Sequence, residues 1–137
     1  MHWMLLPLKR YAQFSGRSRR MEYWMFALFQ ILLVVAVMVI VGVAALVADN
    51  SATVGGIVTL LLGLYCLFIL GLIIPSLAVQ VRRFHDIDMS GWSVFLGFIP
   101  IVGGIIVLVL MCKNGTPGDN RFGSNPKETD NIGDVFA

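Results

Sequence analysis

The chain alternates between long stretches without a charge and short polar islands. No Asp, Glu, Lys or Arg occurs from Met25 to Ala48, from Val54 to Val81, or from Ser93 to Cys112. The first two runs exceed the roughly 20 residues that a helix needs to cross a hydrocarbon core. They predict transmembrane helices over 23–48 and 52–83, with Tyr23 and Trp24 as aromatic anchors at the start of the first. The third run has about the spanning length but is interrupted by Pro100, with Gly97 before it and Gly103 and Gly104 after it. Over 91–112 it reads either as a kinked span or as a re-entrant hairpin that turns between Pro100 and Gly104.

The linking segments follow the same logic. Residues 1–22 interleave Trp3, Leu5, Leu6, Tyr11 and Phe14 with basic residues, the pattern of a segment lying in the headgroup layer. Asp49, Asn50 and Ser51 form a turn, with Asp49 or Ser51 as the cap of the second helix. Within that helix Pro75 predicts a kink, and Gly63 and Gly71 share a stripe that predicts the close approach of another helix. Residues 113–137 are dense in Gly, Pro, Asn and Asp, so turns are expected, ordered from Asn114 to Pro126 and fraying over the last ten positions. The expected architecture is a single integral membrane domain of the all-α class. It is a bundle of three hydrophobic helices, the third broken at Pro100, with an interfacial amino-terminal segment and a loop-like tail.

Composition excludes a soluble domain. Hydrophobic residues make up 58% of the 137 and charged residues only 13%, where soluble domains carry roughly a quarter. The net charge of +2 is unevenly placed: Lys9, Arg10, Arg17, Arg19 and Arg20 precede the first apolar run and are opposed only by Glu22. By the positive-inside rule the amino terminus is cytoplasmic, and the chain is multi-pass. A third full span would put Lys113, Arg121 and Lys127 outside, against that rule; a hairpin would return them to the cytoplasm. The uneven charge points to anionic lipid, and so few basic residues argue against nucleic acid. The apolar start is too short for a cleaved signal, so the first span is expected to act as an uncleaved anchor. Cys66 and Cys112 are expected at different depths and unpaired, and no metal-ligand spacing or cofactor motif is present.

Chemistry concentrates in the island QVRRFHDIDMSGW, from Gln80 to Trp92. Arg82 and Arg83 suit both a helix C-terminus and an anionic leaflet. Asp88 or Ser90 would cap the next helix, with Trp92 as its interfacial anchor. A cation-π contact between Arg20 and Trp24, four residues apart, is expected on the first helix. In the tail, Gly118, Gly123 and Ser124 imitate a phosphate-binding loop, but the lysine and the flanking strand and helix are missing, which argues against nucleotide binding.

Three segments, FSGRSRRMEYW (14–24), RRFHDIDMSGW (82–92) and GTPGDNRFGSNP (115–126), together resemble the family called domain of unknown function 805, the YhaH-like bacterial inner-membrane proteins. The resemblance extends over essentially the whole chain and implies a small multi-helix inner-membrane protein with no established activity. From the residues themselves, the favoured function is a non-enzymatic module that binds anionic lipid or a partner protein through an Arg-rich cytoplasmic rim. Its candidate contacts are Arg17, Arg19, Arg20, Arg82, Arg83 and His85, held in place by ion pairs from Glu22, Asp86 and Asp88. The same ion pairs would equally serve to lock the first two helices together. One alternative is a component of a small oligomeric transporter or channel. Another is an enzyme acting on a lipid phosphate, with His85 as acid or base oriented by Asp86.

Overall fold

A computed structural model of the chain describes residues 2–47 and 51–127. Among these residues the structure is helical: α1 (His2–Lys9), α2 (Arg20–Val47), α3 (Ser51–Asp86), a 3₁₀ helix (Gly91–Phe98) and α4 (Val102–Cys112). The β structure described is an isolated bridge between Asn120 and Gly123. α2 has 28 residues and α3 has 36, both long enough to cross a membrane. None of the apolar stretch of α2, and only 6% of that of α3, is buried within the protein. Apolar helices left this bare need lipid around them rather than water, so the protein is an all-α membrane protein.

The chain divides into two compact units. One is Ala27–Ile73, made of the distal parts of α2 and α3. Its surface is apolar, with Met38, Leu60 and Leu67 exposed, and the Thr59 hydroxyl donates to the Gly55 carbonyl one turn earlier at 2.8 Å. Among the described residues the helix approach expected at Gly63 and Gly71 is not seen: a Cβ at either position would meet nothing within 4 Å.

The other unit holds Met1–Phe26 and Ile74–Ala137. Its apolar core is Phe84, Val107 and Met111, flanked by Tyr23, Ile87, Met89, Val94, Leu96 and Leu110. The core therefore joins the last turn of α3 to the segment that follows it. α3 continues through the fully buried Pro75, carries Arg82 and Arg83 as expected, and runs past residue 83 to include His85 and Asp86. Likewise α2 starts at Arg20, so Arg20 and Glu22 are helical.

The third apolar run is neither one helix nor one kinked helix. The 3₁₀ helix ends at Phe98, and the chain reverses through Ile99, Pro100 and Ile101 before α4 packs back against it. A Cβ on Gly103 would overlap the Leu96 carbonyl oxygen and stand 3.1 Å from the Gly97 carbonyl, so only glycine lets the two limbs approach this closely. Ser90 occupies the N-cap of the 3₁₀ helix, but its side chain makes no capping bond. Beyond Cys112 the chain is turns and bends up to Ser124, with a last helical turn begun at Pro126. The turn at 48–50, with the cap expected from Asp49, and the expected fraying of the last ten residues lie outside the described residues.

Candidate functional site

Two adjacent arginines end α3, and about 100° per residue around a helix sends their side chains in different directions. They are the largest fully buried side chains among the described residues. Arg83 donates through Nη1 to Asp86 Oδ2 one turn on, through Nη2 to the Lys113 carbonyl, and to the Met111 carbonyl from Nε at 3.4 Å and Nη2 at 3.3 Å. Met111 and Lys113 straddle the C-terminus of α4, where carbonyls have no helical partner. The guanidinium thus supplies the donors and the cation that this helix end requires.

Asp86 is 5% exposed, and its other oxygen belongs to Arg17. Arg17 Nε donates to Oδ1 at 3.0 Å, and Nη2 is equally close. The rest of the Arg17 fork is taken up by the tail: Nη1 donates to Gly118 O at 2.7 Å and Gly123 O at 3.4 Å, and Nη2 to Thr116 O at 2.7 Å. Gly118 (φ 68°) and Gly123 (φ 133°) occupy backbone conformations that favour glycine, and these aim their carbonyls inward. The loop that imitates a phosphate cradle is therefore a cradle for a guanidinium.

The same loop is pinned to the end of α3. The Thr116 amide donates to Asp86 O at 2.8 Å, and Asn120 Nδ2 donates to His85 O at 2.9 Å and to Thr116 Oγ1 at 3.0 Å. These satisfy carbonyls that the helix end leaves free. Gly115 lies against Asp86 so closely that an added Cβ would overlap the carboxylate, which Arg17 and Arg83 hold in place. Gly115→Ala is therefore expected to cost about 1–3 kcal/mol. A melting temperature in detergent equal to that of the wild type would show that the carboxylate yields.

Glu22 and Arg82 form a second buried pair, with Arg82 Nη2 2.9 Å from Glu22 Oε1. The distance is that of an ion pair, but the groups are not aligned as a hydrogen bond. Arg82 Nη1 and Nη2, Glu22 Oε1 and Ser18 Oγ all lack an aligned partner among the described residues. Arg82 Nε donates back to Ala78 O at 3.3 Å, and the Ser18 amide donates to Arg82 O at 3.1 Å.

The remaining predicted residues lie around this buried layer. Arg19 donates to the Pro126 carbonyl through Nε at 3.0 Å and also through Nη2, and its guanidinium lies over the Trp3 ring at 5.6 Å. Arg20 donates to Cys112 O at 3.0 Å rather than stacking on Trp24, which meets Tyr23 edge to face. His85 stacks on Phe122 with ring centres 3.9 Å apart, and its Nδ1 lies 3.2 Å from Gly16 O. Both oxygens of Asp86 serve arginines, so the two side chains do not form the dyad an acid–base reading needs. Asp88, with φ 58°, pairs with exposed Arg121 at 3.1 Å instead of with the arginine cluster. Trp92 is 77% exposed, and Cys66 and Cys112 are exposed free thiols.

Arg17, Arg82 and Arg83 therefore lie beneath the rim rather than on it. A cavity of about 480 Å³ opens between α1 and the tail loop, lined by Arg10, Arg17, Arg19 and Glu22 and by the apolar Trp3 and Leu6. Arg10, Thr116, Asn120 and Phe122 were not among the expected site residues. The glycine spacing of GTPGDNRFG was the signal for the last three, once its carbonyls rather than its amides are taken as the binding groups.

FSGRSRR, RRFHD and GTPGDNRFG, far apart in sequence, thus meet in one polar layer. The chain is 39% identical to the inner membrane protein YhaI of Escherichia coli (strain K12), covering 93% of this chain and 97% of that one. It is 40% identical to the inner membrane protein YhaH of the same organism, covering 93% and 98%. No solved structure matches it significantly. A family model described as Protein of unknown function (DUF805) matches residues 11–124, from just ahead of FSGRSRR to the end of the cradle loop, and the chain belongs to that family.

Proposed function

We propose that this protein is a non-enzymatic inner-membrane module whose arginine-lined cavity takes the anionic headgroup of a phospholipid on the cytoplasmic side. The observation that carries this reading is the lining of the cavity: Arg10 and Arg19 toward its opening, Arg17 and Glu22 behind them already paired with Asp86 and Arg82, and Trp3 and Leu6 offering apolar contact. Arg10 is exposed and Arg19 half-buried, so cationic charge faces the opening. Orientation is supported by the charge rule. Lys113, Arg121 and Lys127 belong to the same compact unit as Lys9, Arg10 and the arginine layer, and a basic end faces the cytoplasm. Each such residue near an anionic leaflet contributes about 1 kcal/mol.

The test is thermal unfolding of the purified protein in a neutral detergent, with added dioleoylphosphatidylglycerol or dioleoylphosphatidylcholine. Binding at about 100 times Kd adds about 2.7 kcal/mol to the native state, a readable rise in melting temperature. The anionic lipid is expected to produce this rise and the zwitterionic lipid to produce little, and Arg10→Gln should remove at least half of the difference. Equal shifts with both lipids, or an unchanged response in Arg10→Gln, would sink the proposal.

A further inference from the structure

We infer that the hairpin made by the 3₁₀ helix and α4 inserts into the acyl chains of a single leaflet and returns the tail to the face from which it left. No charge occurs from residue 93 to residue 112, and the apolar surface runs around both limbs. Phe95 is 58% exposed, Phe98 77%, Ile101 92% and Ile105 63%. A protein partner would cover one stripe; a surface exposed on both limbs suits fluid hydrocarbon. α4 has 11 residues, which at 1.5 Å each reach about 16 Å, half of a core about 30 Å thick.

Both ends of the hairpin are fixed at one level, the last turns of α3. At its start, a Cβ on Gly91 would lie 3.0 Å from the Val81 side chain and 3.4 Å from His85 Nε2. At its end, Arg83 holds the carbonyls of Met111 and Lys113, and Arg20 holds that of Cys112. Three amides at the apex between them find carbonyl partners within the turn, as irregular backbone at membrane depth requires. The amide of Ile99 donates to Leu96 O at 3.2 Å, that of Val102 to Pro100 O at 2.7 Å and that of Gly103 to Ile99 O at 2.9 Å, while Pro100 brings no donor. Ile101 adopts φ 67°, rare for a β-branched residue, at the one place where the chain must reverse. Trp92 at the base has the exposure of an interfacial aromatic.

The experiment uses the full chain with Cys66 and Cys112 replaced by serine, in native membrane vesicles of both orientations. Single cysteines are introduced as Gln13→Cys, Asn114→Cys and Ile101→Cys and are treated with a membrane-impermeant maleimide. The expected result is that Gln13→Cys and Asn114→Cys label from the same side and Ile101→Cys from neither. A bimane on Ile101→Cys, in liposomes of phosphatidylcholine and phosphatidylglycerol, should be quenched more by doxyl groups deep in the acyl chain than by shallow ones. Labelling of Asn114→Cys from the opposite side would establish a full span and overturn the inference. So would aqueous labelling of Ile101→Cys, or disulfide formation between two copies at that position, which would put a second chain against the apex. Ile105→Cys serves as the apex probe should Ile101→Cys fail to fold, read against the same outcomes.

Discussion

Replacing Asp86 by alanine is expected to cost about 3–5 kcal/mol, because it leaves two buried guanidinium groups without their counter-charge. Arg17 and Arg83 share that carboxylate, one on each oxygen, and the three side chains are at most 7% exposed. The loss also spreads beyond the ion pairs. Arg17 carries the carbonyls of Thr116, Gly118 and Gly123, and Arg83 those of Met111 and Lys113, so both lose the anchor that orients their donors. The cradle loop and the end of α4 should loosen together. The measurement is thermal unfolding in detergent alongside limited trypsin digestion, with cleavage after Arg121 and Lys127 reporting release of the tail. Asp86→Asn keeps the volume and part of the hydrogen bonding, and should fall between alanine and the wild type. A tail that stays protected in Asp86→Ala, with stability changed by less than about 0.5 kcal/mol, would mean that the backbone carbonyls alone hold the arginines.

How much of this was legible in the sequence depended on whether the signal was local. The two long helices follow from charge-free runs, and the break at Pro100 follows from a proline among glycines. Helix ends were less visible: α3 runs past the expected end at 83 to take in His85 and Asp86, because partners from the tail satisfy its last carbonyls. The destination of the arginines was not local at all. Arg17 is separated from Asp86 by 69 positions and from Gly118 by 101, and no periodicity carries that information. Charge composition makes every arginine next to an apolar run a candidate for the rim. Burial divides them, sending Arg17, Arg82 and Arg83 inward and leaving Arg10, Arg19 and Arg20 nearer the surface. The glycine loop was conspicuous in the sequence, but its binding groups are carbonyls and its ligand is part of the same chain.

The pair Glu22 and Arg82 should behave differently from Asp86, and the contrast separates compensation from cohesion. Glu22→Leu alone is expected to cost about 3–5 kcal/mol, since it strands a buried guanidinium, and Arg82→Met alone to be costly because it strands a buried carboxylate. Yet the pair contributes few aligned hydrogen bonds. Both Nη atoms of Arg82 and Oε1 of Glu22 lack one, so the charges are desolvated with little beyond their mutual attraction to offset it. Apolar residues of similar volume would remove both penalties at once. The double variant Glu22→Leu with Arg82→Met should therefore recover to within about 1 kcal/mol of the wild type, a coupling of several kcal/mol in a double-mutant cycle. Unfolding of the four proteins in detergent measures this directly. If the double variant instead loses the sum of the two single losses, the guanidinium is neutralised by something other than Glu22. Glu22 lines the arginine cavity, and a bound anion there would be the group to seek.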